Sequence, residues 1–81
     1  MQFARLVKAV EKAGLKVEAV RDGRTFHVQG KNYYGKFHKQ DEQAICVSVC
    51  RNGDAPDSMV DYFPQHYHDT IKGFVSDLVN A

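Results

Sequence analysis

The sequence predicts an α+β domain: an antiparallel four-stranded meander with N- and C-terminal helices packed on one face, in the order α-β-β-β-β-α. Three observations predict it. An apolar stripe of helical period opens the chain, and a second one closes it. Between them lie four short segments with alternating apolar residues, joined by turn-forming residues. A sheet covered on one side by two helices buries both stripes at once. The 81 residues hold one core, so residues 1–81 are read as a single small domain.

Each element has its own justification. In residues 2–13, Phe3, Leu6, Val7, Val10 and Ala13 fall on one helical stripe, with Lys8, Glu11 and Lys12 on the wet side. Gly14 suits the left-handed residue that closes a helix. In "LKVEAVR", Leu15, Val17 and Ala19 alternate with Lys16 and Glu18, the period of a half-buried strand. Asp22-Gly23 supplies a two-residue hairpin signal, because both positions tolerate positive φ. "RTFHVQ" then sets Phe26 and Val28 against Thr25, His27 and Gln29. After the turn Gly30-Lys31-Asn32, "YYGKFHK" divides Tyr33, Gly35 and Phe37 from Tyr34, Lys36 and His38. "QDEQ" makes the next turn, and "AICVSVCR" puts Ile45, Val47 and Val49 on one face. Residues 52–62, "NGDAPDSMVDY", read as a loop. Pro64 suits a helix's first turn, and from there Tyr67, Ile71, Phe74, Val75 and Leu78 mark the second amphipathic helix.

Composition bounds the function. A hydrophobic share of 43% with 26% charged residues excludes a disordered chain. The N-terminal stretch is interrupted by Arg5, Lys8, Glu11 and Lys12, and no apolar run approaches a membrane span. The expectation is a cytoplasmic domain without membrane contact, its Cys46 and Cys50 reduced. The net charge of +1 is unevenly spread. Residues 1–40 carry nine Lys/Arg against three acids, and residues 41–81 carry two against seven. Such a split signals a basic face, an acidic face, or pairing between the halves.

Several candidate sites follow. "VDYFPQHYHD" concentrates His66, His68 and carboxylates, but on a helix two residues apart means about 200° of rotation, so both imidazoles miss a common ion. No metal and no cofactor are expected. Nucleophile elbow, phosphate-loop and paired-carboxylate patterns are all missing, which speaks against an enzyme. The sheet face opposite the helices is the stronger candidate. With Phe26, Val28, Phe37, Ile45, Val47 and Val49 turned to the helices, it shows His27, Gln29, Tyr34, Lys36, His38, Cys46, Ser48 and Cys50. Arg21, Arg24, Lys31 and Lys39 stand near its turns. Bases could stack on Tyr34 while these cations meet phosphates, or a second copy of the chain could cover the face as a homodimer. The acidic loop, with Asp54, Asp57 and Asp61, could meet a basic partner surface.

Two resemblances add context. The helix–sheet–helix order is similar to that of the double-stranded RNA-binding domain, α-β-β-β-α. That family carries a Lys-rich start to its second helix, whereas "PQHYHDTIKG" holds only Lys72. The stretch "DYFPQHYHDTIKGFVSDL" resembles the C-terminal segment of small uncharacterised phage and prophage proteins, through Tyr62-Phe63-Pro64 and Thr70-Ile71-Lys72. It implies a small accessory protein acting on a host or phage macromolecule. Since the net charge is nearly neutral, stoichiometric contact with a protein partner is the first expectation. Nucleic-acid binding through the basic, aromatic sheet face is the alternative.

Overall fold

A computed structural model describes residues 1–20, 23–51 and 66–80. The first helix, α1, runs Phe3–Lys12 and buries Leu6 and Val10, as the stripe requires. Its end is a Schellman motif. Gly14, at φ +87°, donates to Glu11 O at 3.0 Å, and Leu15 donates to Val10 O at 3.1 Å. That reversal feeds β1 (Val17–Ala19), followed by β2 (Thr25–Gln29), β3 (Tyr33–Gln40) and β4 (Gln43–Arg51). All neighbours pair antiparallel in the order β1-β2-β3-β4-β5, where β5 is the two-residue strand His66–Tyr67. The last helix, α2, runs Ile71–Asn80 and buries Phe74 and Leu78. The predicted α+β meander with a helix at each end is therefore the fold, extended by β5.

Both helices lie on one face of the sheet. The core beneath them joins Leu6 and Val10 to Val28, Phe37, Ala44, Val47, Val49, Phe74 and Leu78. Aromatic rings concentrate there: Phe3, Phe26 and Phe37 have centroids 5.0–5.8 Å apart, and Phe74 meets Phe37 edge-on at 6.0 Å. Gly35 makes room for this docking, since a Cβ on it would stand 2.3 Å from Phe74 Cζ. The N-terminal end is tied to the β3–β4 hairpin, with Phe3 N–H donating to Glu42 O at 2.9 Å and Ala44 N–H to Met1 O at 2.7 Å.

Two predicted details differ. The second helix starts at Ile71 rather than near Pro64, because Thr70 caps it: its Oγ1 accepts the Gly73 N–H at 3.1 Å. His66 and Tyr67 instead extend the sheet beside Val49 and Ser48, and His68 N–H donates to Val47 O at 2.8 Å. The second difference is a β-bulge. Lys36 pairs with Ser48 and His38 with Ile45, so Cys46 and Val47 together oppose Phe37. Cys46 takes φ +53° to accommodate the extra residue. The alternation slips by one there. Ala44, Val47 and Val49 face the core, while Ile45 turns to the other side and stands 38% exposed.

Candidate functional site: the sheet face opposite the helices

Register defines this face row by row. Its central row runs Glu18, His27, Lys36, Ser48 and Tyr67, one residue from each strand. A second row holds Gln29, Tyr34 and Cys50, and a third holds Thr25, His38 and Ile45. The predicted residues His27, Gln29, Tyr34, Lys36 and His38 do share one face. Strand periodicity brings them together, as the alternation in the sequence implied.

The centre of that face is not open. Tyr34 is 0% exposed, Ser48 3%, Cys50 1% and Lys36 9%. The expected stacking platform is thereby corrected, since a base needs the exposed face of a ring and Tyr34 offers none. His27 is half-buried, with Nε2 3.4 Å from Glu18 Oε2 and Nδ1 buried without a hydrogen-bond partner among the described residues. Gln29 is exposed and donates from its amide to Gly30 O at 3.2 Å.

The basic residues Arg24 and Lys31 lie at opposite ends of the sheet. Lys31 lies at one end, where its backbone N–H donates to Leu78 O at 2.9 Å. It therefore serves the C-terminus of α2, where orphan carbonyls need donors. Arg24 lies at the other end, beyond Thr25, more than about 15 Å away for an extended strand of this length. There Arg24, His38, Lys39, Gln40, Asp41 and Ile45 line a cleft. His38 Nδ1 stands 3.0 Å from Oγ1 of the fully buried Thr25, and Lys39 N–H donates to Arg24 O at 2.8 Å. The Lys39 ammonium rests 4.9 Å from the Phe3 ring centroid.

Sequence reasoning missed two features of this face. Ile45 and Tyr67 are its exposed large apolar residues, at 38% and 64%. Ile45 arrives through the bulge, and Tyr67 through β5. Only Thr70, a good N-cap, signalled in advance that Tyr67 precedes the helix. Cys46 is exposed on the bulge, and Cys50 is buried.

The histidine cluster resolves differently from the expectation of a helix entry. His68 follows β5 and its Nε2 lies 2.8 Å from Asp77 Oδ2 of α2, a part-buried clasp. No group of three His, Cys, Asp or Glu side chains converges among the described residues as a metal site would require. Arg21, Asp22 of the hairpin signal and the loop 52–62 with Asp54, Asp57 and Asp61 lie outside the described residues. None of the helices among the described residues is long and apolar enough to cross a membrane. No protein-family model, curated protein or solved structure matches the chain.

Proposed function

We propose that this is a small non-enzymatic binding protein that acts by stoichiometric contact with a protein partner. The observation that carries the reading is the pair Ile45 and Tyr67. They are exposed large apolar side chains on one sheet face, Tyr67 at its edge strand and Ile45 one bulge away from Ser48, the cross-strand neighbour of Tyr67. Tyrosine is enriched among the anchors of protein interfaces, because it buries a large surface and keeps a polar tip. The likeness of the C-terminal segment to small phage proteins supplies the context, a host or phage protein as the partner.

Nucleic-acid binding is the second reading, and two observations weigh against it. Tyr34 and Lys36 are buried, and Arg24 and Lys31 stand at opposite ends of the sheet instead of tracking one backbone.

The test uses the wild type, Tyr67→Ala and Ile45→Arg as baits in the same host extract, with circular dichroism to confirm an unchanged fold. One protein should be captured by the wild type and lost from both variants. It should then form a one-to-one complex with the purified chain in sedimentation. Capture that survives both substitutions removes Ile45 and Tyr67 from the interface. Binding to short oligonucleotides that weakens steeply with salt would put nucleic acid in the partner's place. A dimer of the chain alone, dissociated by Tyr67→Ala, would put a second copy there.

A further inference from the structure

We propose that β1 is a self-association edge, at which two copies of the chain pair antiparallel about Val17 and join their sheets into one. This goes beyond the partner-binding reading above, whose anchors Ile45 and Tyr67 belong to β4 and β5, at the far end of the strand order.

Strand β1 has β2 on one side and no described strand on the other. Val20 N–H donates to Thr25 O at 2.7 Å, and the same register sets Glu18 opposite His27. Bonded and non-bonded pairs alternate along an antiparallel ladder, so Glu18 turns its peptide groups to β2 while those of Val17 and Ala19 point outward. Ala19 is exposed, and neither a bulge nor a proline interrupts this edge. A row of outward N–H and C=O groups is a template for another strand.

The side chains select which strand. Charges of one sign blunt an edge, but Lys16 and Glu18 carry opposite signs two residues apart. They pair within the chain at 3.8 Å with side chains 82% and 52% exposed, so each stays open to a further charge. Glu18 Oε2 also stands 3.4 Å from His27 Nε2, which keeps the carboxylate over the face away from the helices. Turned antiparallel about Val17, the stretch Lys16-Val17-Glu18 is complementary to itself. Each Lys16 then faces Glu18 of the second copy, with Cα atoms about 4.5 Å apart as in a non-bonded pair. The two ion pairs close into a ring of four alternating charges. On the helix side Val17, packed at the margin of the core, meets Val17 of the second copy. The bonded registers to either side would set Glu18 against Glu18 or Lys16 against Lys16, so charge singles out the one about Val17. The contact is two-fold and closed, which ends assembly at the dimer and leaves one Ile45–Tyr67 face per chain.

The test is sedimentation equilibrium of the purified chain at concentrations up to about 1 mM, with circular dichroism on every variant. The wild type should dimerise with rising concentration. Glu18→Lys and Lys16→Glu should each weaken the dimer by roughly tenfold, because each sets like charges opposite one another twice. Mixed in equal amounts, the two variants should associate again, since lysines then face glutamates at every such position. A variant that had merely lost its fold would not be rescued in this way. Ala19→Pro removes an outward N–H but no bond between β1 and β2, so it should keep the fold and abolish the dimer. Tyr67→Ala should leave the dimer unchanged. A chain that stays monomeric throughout, or a dimer indifferent to the β1 substitutions, would overturn the proposal. So would a dimer lost in Tyr67→Ala, which would lie on the other face. Capture of a protein by the wild type and its loss in Tyr67→Ala are read separately, so the partner reading stands or falls on its own.

Discussion

At Gly35 a methyl group has nowhere to go. A Cβ there would stand 2.3 Å from Phe74 Cζ and 2.6 Å from Cε1, on a ring already packed edge-on against Phe37. Gly35→Ala should therefore cost about 1–3 kcal/mol, the usual penalty for overpacking a core. The two positions should also couple: Phe74→Leu should cost less in the Gly35→Ala background than in the wild type, as a double-mutant cycle by urea denaturation would read. Additive costs would mean that the ring is free to move aside. Cys46 presents the opposite case. It is a non-glycine residue held at φ +53°, where a Cβ is strained by roughly 1–2 kcal/mol. Cys46→Gly should raise stability by up to about 1 kcal/mol, once glycine's greater entropy in the unfolded chain is set against the strain it relieves. A loss of stability would show that the cysteine side chain makes a contact worth more than the strain. Only half of this was legible in the sequence. The period of β3 put Gly35 on the helix side beside Val28 and Val49. Positive φ is usually announced by Gly, Asn or Asp, so a cysteine gave no warning of a bulge. The Ile45-Val47-Val49 alternation read as unbroken for that reason.

Helix α2 is secured at its end by a neighbour distant in sequence and at its start by the residues just before it. Its C-terminal carbonyl at Leu78 accepts the Lys31 N–H from the β2–β3 turn, at 2.9 Å. Near its start, Thr70 caps the Gly73 N–H and His68 reaches Asp77 at 2.8 Å. Gly73 lets His68 lie close to the helix, since a Cβ there would be 3.0 Å from His68 Nδ1. The clasp is part-buried, so His68→Ala and Asp77→Ala should each cost about 1–2 kcal/mol in chemical denaturation. The double variant should cost little more than either single one, because both remove the same bond. Full additivity would mean that each side chain acts through other neighbours. The apolar stripe from Ile71 to Leu78 was readable, because its period survives any choice of starting residue. The start itself was read near Pro64, suited to a first turn, whereas the cap is Thr70 six residues later. The pairing of β5 with β4 decides it, and that long-range contact leaves no trace in local sequence.

Across the whole molecule, the basic first half and the acidic second half could be taken as the force that holds the fold together. The ion pairs among the described residues argue otherwise. Lys16–Glu18 spans 3.8 Å with side chains 82% and 52% exposed, and such pairs contribute at most about 1 kcal/mol. The core is instead aliphatic and aromatic, drawn from both helices and three strands. Apolar burial is not weakened by salt, whereas exposed charge pairs are screened within about 10 Å at 0.1 M. Urea, an uncharged denaturant, separates the two contributions. Raising sodium chloride from about 0.05 M to about 1 M should change the unfolding free energy by less than about 1 kcal/mol. A fall of several kcal/mol would show that attraction between the halves stabilises the fold. The same titration bears on function, because a fold indifferent to salt leaves its surface charges at liberty to serve binding.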